Sequence, residues 1–186
     1  MRNFVLGVIV TIVVLALVGL GAALLGFVPT RANTQPPAWE ERLAMGALDA
    51  SIDRHAARIN NPVPSTDDNL IAGMKIYAMA CAECHGGLDR KPTEFGKTLY
   101  PPAPDLILDP PDDPEWHLYY VIRYGVRNTG MPSWEKGLGD ADIWKVTAFL
   151  SRIQKLPPAV QEYWKKSVGG DTPTPAPAAG HDGGTK

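Results

Sequence analysis

The sequence has few cysteines and almost no net charge, and both deficits exclude classes of protein. Among its 186 residues only two are cysteines, Cys81 and Cys84. Two cysteines cannot build a framework of several disulfides or a four-cysteine zinc site. The formal net charge is -2, which gives no electrostatic basis for binding nucleic acid. We therefore expect no nucleic-acid partner.

Charged residues are also missing from the N-terminal region. Residues 4–28 form an uncharged run in which Thr11 carries the single hydroxyl group. As a helix this run extends roughly 37 Å, enough to cross the hydrocarbon core of a membrane with some tilt. A cleaved signal peptide is the alternative, since residues 30–32 loosely resemble a cleavage site, but its apolar part usually spans only about 7–15 residues. Residues 1–28 are therefore predicted to be a retained transmembrane anchor.

Residues 29–64 are predicted to be a stalk that contains an amphipathic helix. Between residues 38 and 59, apolar residues recur at spacings of mostly three or four, and charged residues occupy the other face. This pattern predicts a helix, either continuous or broken near Gly46. Three uses of its apolar face remain open: packing on its own domain, docking on a partner subunit and lying on a membrane surface. The face consists of Trp39, Leu43, Leu48, Ile52, His55, Ala56 and Ile59.

No strand pattern appears in the chain, so residues 65–168 are predicted to be an all-α domain of helices joined by irregular loops. Ser65 is predicted to cap a first helix that runs into the cysteines. A second helix is predicted to start at Asp113, as its N-cap, and to stop at Gly125. The apolar face of the first helix is predicted to consist of Leu70, Ile71, Met74, Tyr77, Ala78 and Cys81.

The rest of the domain is predicted in the same way. Residues 86–114 form a proline-rich loop, and a loop of this length is typical of a segment that wraps a ligand. Asp140 is predicted to cap a last strong helix, and residues 159–166 are predicted to add a short one. The composition of residues 169–186 cannot bury a core, which predicts a disordered tail.

The two cysteines belong to the segment Cys81–Ala82–Glu83–Cys84–His85. The pattern C-x-x-C-H is the attachment signature of c-type haem. Two thiols three residues apart on one helical turn can both form thioether bonds at one edge of a porphyrin, and the next residue then lies beneath the iron. We therefore predict one covalent haem c, attached through Cys81 and Cys84, with His85 as the proximal iron ligand.

Three other uses of this segment compete with haem. A thioredoxin-like dithiol shares the C-x-x-C spacing but requires a βαβ context, which the sequence lacks. A zinc site could recruit Cys81, Cys84, His85 and His117, although the spacing to His117 matches no familiar zinc finger. A structural disulfide would leave the long loops unexplained.

A second axial ligand is predicted in a later loop. Met131 lies between Gly130, which allows a close backbone approach, and Pro132, which stiffens the chain. His117 is the rival ligand, because imidazole is also competent, and an open iron is the third alternative. We predict Met131 as the distal ligand. Met74 and Met79 precede the cysteines on the same helix and reach the opposite face of the haem less easily.

With these residues assigned, the chain resembles a class I cytochrome c of a membrane-anchored bacterial type. The resemblance covers roughly residues 65–156. It implies the cytochrome c fold, in which a few helices wrap around one covalent haem. It rests on the helix with Gly73 and Tyr77, the Cys81–His85 segment, the proline loop at residues 101–105, and Gly130–Met131–Pro132 followed by a helix with Trp144 and Phe149.

The resemblance also implies two contacts. Gly73 would let the first helix cross close to the last one, near Trp144. A proline carbonyl in residues 101–104 would accept a hydrogen bond from His85, and which proline supplies it stays open. Packing is favoured over contact with the haem for Tyr100, Tyr119, Arg123, Tyr124 and Trp134.

An iron with both axial positions filled exchanges electrons but binds no substrate, so the sequence predicts an electron carrier without catalytic residues. The leading hypothesis is a single-pass protein of the bacterial inner membrane that serves redox partner proteins. The resemblance implies a periplasmic haem domain, because haem is attached after export in this family. One alternative is a permanent haem c subunit of a larger respiratory or dehydrogenase complex. Another is a haem sensor or peroxidase-like enzyme in which Met131 is displaced.

Overall fold

The computed structural model describes residues 1–168, and these residues contain helices and no strand. The all-α prediction is confirmed for this part of the chain. The disorder predicted for residues 169–186 lies outside the described residues. The helices are α1 (Arg2–Leu24), α2 (Ala38–His55), α3 (Asp67–Ala80), α4 (Ala82–His85), α5 (Glu94–Lys97), α6 (Glu115–Tyr124), α7 (Asp140–Ser151) and α8 (Pro158–Val168), with a 3-10 turn at Ile153–Lys155.

Helix α1 belongs to a first unit, Met1–Thr34, which is separate from the rest of the chain. It is 23 residues long and has no buried residue. Its length and composition allow it to cross a membrane. A helix that is apolar on all sides requires apolar surroundings, so α1 is consistent with the predicted membrane anchor.

The second unit begins at Gln35, and its core lies where α3 crosses α7. A Cβ atom at Gly73 would collide with the carbonyl group of Lys145, so this close crossing requires glycine. The structure therefore contains the crossing that the resemblance implied, one residue beyond Trp144. The buried side chains at the crossing are Leu70, Met74, Tyr77, Ile143, Val146 and Phe149.

Helix α8 matches the short helix predicted over residues 159–166 and packs on α3. Its buried side chains are Val160 and Trp164. The indole N–H of Trp164 donates a hydrogen bond of 2.7 Å to the carbonyl oxygen of Leu88. This helix therefore extends the core and ties it to the loop that follows the cysteine motif.

The start of α3 differs from the prediction by one residue. Thr66, not Ser65, is the N-cap, and its hydroxyl oxygen accepts a hydrogen bond of 3.3 Å from the N–H of Asn69. The predicted apolar face is also wrong at one position, because Ala78 is exposed whereas Ile76 is buried. The core therefore covers more of the α3 surface than one apolar stripe.

The predictions that Asp113 caps α6 and that Asp140 caps α7 are wrong. Neither helix has a side-chain cap. The Asp113 carboxylate lies 3.5 Å from Nδ1 of His117, and the Asp140 carboxylate accepts a hydrogen bond of 2.6 Å from Arg123. These partners draw both carboxylates away from the free N–H groups of the helix ends. The predicted stop at Gly125 is confirmed, at a φ of +68°.

Helix α2 is continuous through Gly46, so the alternative of a break there is wrong. The helix contacts α6 of its own domain. Ile52 is its buried side chain, whereas Trp39 and Leu43 are 66% and 68% exposed. Packing on its own domain therefore accounts for Ile52 and, in part, for Leu48 and Ala56, whereas the other residues of the predicted apolar face are exposed.

Candidate haem site

The cysteine motif forms one helical turn directly after α3. The N–H groups of Cys84 and His85 donate to the carbonyl oxygen of Cys81, at 3.1 and 2.9 Å. Both cysteines are free thiols, and Cys81 is buried while Cys84 is half-buried. The structure therefore brings these three predicted site residues together on one turn, at the end of a helix that the core holds in place.

Burial keeps the two thiols uncharged. It raises the pKa of Cys81 to about 12, and the nearby Cys84 adds to this shift. The pKa of Cys84 is also raised, mainly by burial and further by Glu83. A protonated thiol is a poor nucleophile and a poor metal ligand, which argues against a thiol-exchange site. Residues 1–168 also contain no cluster of three His, Cys, Asp or Glu side chains that could hold a metal ion. The alternative zinc site, which would include His117, is therefore not formed.

The imidazole of His85 has a fixed orientation. Its Nδ1 lies 2.8 Å from the carbonyl oxygen of Pro104. Because a carbonyl oxygen can only accept, Nδ1 must carry the proton, and Nε2 then keeps its lone pair. Within the described residues Nε2 has no hydrogen-bond partner. This arrangement orients a histidine for metal ligation, and Pro104 is the proline that the resemblance left unassigned.

Three neighbouring groups fix the backbone of this turn. The hydroxyl of Tyr77 lies 2.8 Å from the carbonyl oxygens of His85 and of the glycine that follows it, and it donates to both. The N–H of Leu106 donates to the same carbonyl of His85 at 2.9 Å. Gly96 packs so closely on the carbonyl oxygen of Cys84 that a Cβ atom would collide with it. The turn is therefore held from α3, from α5 and from the proline loop.

Met131 lies in a closed loop at the end of α6. Its carbonyl oxygen accepts a hydrogen bond of 3.1 Å from the N–H of Val126, and its own N–H donates to Oγ1 of Thr129 at 3.1 Å. Gly125 approaches Pro132 so closely that a Cβ atom would lie 2.6 Å from the proline carbonyl carbon. The Met131 side chain is partly buried and packs against the core. The loop therefore presents this thioether from a defined backbone.

The competing axial ligands have other roles in the structure. His117 pairs with Asp113, and its ring lies 5.7 Å from that of Trp116. Met74 is a buried part of the α3 core, whereas Met79 is 69% exposed. Met131 is thus the one of these side chains that lies in a loop at the edge of the core.

The aromatic and arginine side chains near these loops make ordinary protein contacts. Tyr100 donates a hydrogen bond of 2.8 Å to Glu40 of α2. The ring of Tyr119 stacks on that of Trp144, with centroids 4.0 Å apart. Trp134 is partly buried against the core. These contacts agree with the packing roles that the sequence favours.

The donor groups fit a covalent haem. Two free thiols on one turn would form the thioethers, Nε2 of His85 would ligate the iron, and the thioether of Met131 would supply a second ligand. When bound, haem c supplies an iron that changes oxidation state by one electron. The chain's own groups orient the ligands and exclude water from the Cys81 side of the site.

A comparison with known families addresses the same region. A family model described as "Cytochrome C oxidase, cbb3-type, subunit III" matches residues 68–150. Residues 68–150 are a class I cytochrome c domain. The match runs from the first turn of α3 to the last turn of α7 and includes all four candidate site residues. A cytochrome c domain of this kind supports haem c binding and a role in electron transfer.

A solved structure shares part of the chain. The Kuenenia stuttgartiensis reducing HAO-like protein complex contains a chain that is 22% identical, with a TM-score of 0.43. The matched region covers 51% of this chain and 49% of that chain. A likeness of this extent carries no information about what the cytochrome domain binds or serves.

Some groups that hold the site are not evident from the sequence. Pro104 is indistinguishable from its neighbouring prolines until the loop is folded. Gly96 and Thr93 contact the carbonyl oxygens of the cysteine turn from a segment without a recognisable pattern. The sequence offers one signal for these contacts. Gly96 lies in a proline-rich loop, and a glycine in such a loop is typical of a close approach of two backbones.

Proposed function

We propose that the cytochrome domain carries one haem c, attached through Cys81 and Cys84, with His85 and Met131 as axial ligands. The hydrogen bond between Nδ1 of His85 and Pro104 carries this proposal, because it leaves Nε2 free on the turn that presents both thiols. Two filled axial positions leave no site for a substrate, so the domain moves single electrons. Methionine opposite histidine also raises the reduction potential relative to two histidines.

We propose that residues 1–28 anchor the chain in the bacterial inner membrane and that the haem domain is periplasmic. The length and exposed apolar surface of α1 support the anchor. In this arrangement residues 29–64 are the stalk, residues 65–168 the cytochrome domain and residues 169–186 the tail. Because α2 packs on α6, the part of the stalk before α2 is the segment that would let the domain move between an electron donor and an acceptor protein near the membrane surface.

A permanent subunit of a larger membrane complex is the second candidate. The description of the matching family, a subunit of a cbb3-type oxidase, favours it. The exposed Trp39 and Leu43 on α2 agree with it, because an open apolar patch is typical of an interface. In this case the anchor and α2 would be fixed contacts rather than parts of a tether.

The haem assignment is tested by attachment. The full-length chain is produced in a host with c-type maturation, and haem is quantified per chain as the pyridine haemochrome. We expect one haem per chain, retained after denaturation. The variant Cys81→Ala/Cys84→Ala should lose covalent haem, and Met131→Ala should keep it. Covalent haem in the double variant, or none in the wild-type chain, would contradict the proposal.

Purification from membranes of its native cells in mild detergent separates the two candidates. A cytochrome that elutes as a single chain supports the carrier. A stoichiometric complex that survives salt and gel filtration supports the permanent subunit. The exposed patch provides a further test, because Trp39→Ala and Leu43→Ala should release the chain from a fixed complex and leave a carrier unchanged.

A further inference from the structure

Arg123 occupies a position between the Met131 loop and α7. It is in the last turn of α6, and its side chain is 25% exposed. Its guanidinium donates to the Glu135 carboxylate, at 3.2 Å from Nη2, and to the Asp140 carboxylate, at 2.6 Å from Nη1. Glu135 follows Met131 in the same loop, and Asp140 begins α7. One side chain thus connects three separate elements.

The backbone of the same residue holds the loop as well. The carbonyl oxygen of Arg123 accepts a hydrogen bond of 2.8 Å from the hydroxyl of Ser133 and one of 3.0 Å from the N–H of Glu135. The preceding carbonyl, of Ile122, accepts from the N–H of Trp134 at 3.3 Å. The chain that follows Met131 is therefore fastened along the end of α6.

A tyrosine completes this cluster. The Tyr119 hydroxyl accepts a hydrogen bond from Arg123 and donates one of 3.0 Å to Asp140. Its ring stacks on the buried Trp144 of α7. Without the guanidinium, the carboxylates of Glu135 and Asp140 would lose the cation that both contact, and with it the attraction that joins the loop to α7.

We propose that Arg123 is a positioning residue for Met131: by bridging Glu135 and Asp140 it sets how firmly the loop presents the thioether to the haem iron. This proposal rests on the proposed ligation by Met131. Arg123 does not touch the ligand side chain and acts through the backbone of residues 131–135. The loop that carries the methionine is then held by its backbone hydrogen bonds and, in addition, by one surface ion-pair cluster.

The test compares ligand exchange in the ferric full-length protein. Imidazole is titrated against the wild type and Arg123→Gln, and the methionine-to-iron charge-transfer band is followed. We expect imidazole to bind about tenfold more tightly to Arg123→Gln, which corresponds to about 1.4 kcal/mol. Arg123→Lys should give an intermediate affinity, because a lysine keeps the charge but cannot bridge both carboxylates with one planar group.

Arg152→Gln is the matched control. Arg152 also pairs with a carboxylate, that of Glu115. It lies directly after α7 and, within the described residues, forms no hydrogen bond with the Met131 loop. This control should lower stability and leave the imidazole affinity unchanged. Equal affinities in Arg123→Gln and wild type, with the charge-transfer band present in both, would overturn the role of Arg123. A wild-type protein without the band would overturn the Met131 ligation and this proposal with it.

Two further variants keep the test valid if Arg123→Gln does not fold or does not acquire haem. Glu135→Gln and Asp140→Asn each remove one carboxylate and leave the arginine in place. Each should raise the imidazole affinity by a smaller factor than Arg123→Gln, about threefold, which corresponds to about 0.7 kcal/mol for one surface ion pair. Unchanged affinity in both variants would contradict the proposal.

Discussion

The two sides of the candidate haem site are held in different ways. On the cysteine side, the turn that carries His85 is fixed by the buried Tyr77 and by the backbone of the proline loop. On the methionine side, the loop with Met131 is closed by short-range hydrogen bonds and fastened by the partly exposed ion pairs of Arg123. The cysteine side thus includes a buried hydrogen bond, from Tyr77 to the Gly86 carbonyl oxygen, whereas the ion pairs on the methionine side are partly exposed.

This difference predicts different properties for the two proposed axial ligands, His85 and Met131. A buried hydrogen bond is costly to lose, because the group left behind has no water to replace it, whereas an exposed ion pair contributes little. Substitutions on the cysteine side should therefore change folding and maturation. Substitutions on the methionine side should mainly change how readily another ligand displaces Met131.

The largest effect is expected from Gly96→Ala, which attacks the cysteine side. The added methyl group would collide with the carbonyl oxygen of Cys84, a backbone atom that cannot withdraw easily, and would lie 3.0 Å from the side-chain Cγ2 of Thr93. We expect a loss of about 3 kcal/mol in the free energy of unfolding, measured by urea denaturation. Gly46→Ala is the control, since open space surrounds Gly46 in α2 and alanine should stabilise the helix by about 0.5 kcal/mol. An equal change in the free energy of unfolding of Gly96→Ala and Gly46→Ala would contradict the close packing on the cysteine side.

Tyr77→Phe removes one buried hydroxyl from the same side. The carbonyl oxygens of His85 and Gly86 lose their common donor, although His85 keeps the bond from Leu106. We expect a loss of about 2 kcal/mol in stability without a change in imidazole affinity. Tyr163→Phe serves as the control, because the Tyr163 hydroxyl has no recorded hydrogen bond within residues 1–168. An increased imidazole affinity in Tyr77→Phe would show that the two sides are not independent.

Glu115→Gln tests whether a general loss of stability is enough to weaken the ligation by Met131. Burial raises the pKa of Glu115, but hydrogen bonds from Arg152 and Asn61 outweigh it and hold the pKa below the ordinary value. Its stabilisation is therefore present above the ordinary glutamate pKa of about 4.3 and is lost as the pH falls through the lower folded value. We expect the variant to lose about 1 kcal/mol at neutral pH and to approach the wild type in acid. A stability difference that is constant with pH, or a change in imidazole affinity, would contradict this assignment.

Gly130→Ala should have the smallest effect on stability. Its added methyl group would lie 2.7 Å from Cδ1 of Leu99, the end of a flexible side chain that can rotate away. We expect a loss of less than about 1 kcal/mol, in contrast to Gly96→Ala, where the obstacle is backbone. A loss as large as that of Gly96→Ala would show that the methionine side is as rigid as the cysteine side.

The sequence predicts only part of the difference between the cysteine side and the methionine side. The C-x-x-C-H spacing favours haem over its alternatives, and the family resemblance that it supports implies the Gly73 crossing. The hydrogen bond of Pro104 and the close contact of Gly96 depend on how a long loop folds back, and no periodicity encodes that. The failure of Asp113 and Asp140 as caps has a similar cause, because His117 and Arg123 offer these carboxylates tertiary partners that compete with the helix ends.

Carbon monoxide binding by the reduced full-length protein at neutral pH tests the ligation most directly. With His85 and Met131 on the iron, the wild type should bind no carbon monoxide, Met131→Ala should bind it readily, and His117→Ala should behave like the wild type. Binding by the wild type equal to that of Met131→Ala would show an open iron. Binding by His117→Ala but not by Met131→Ala would show that His117 is the distal ligand, and either result would contradict ligation by Met131.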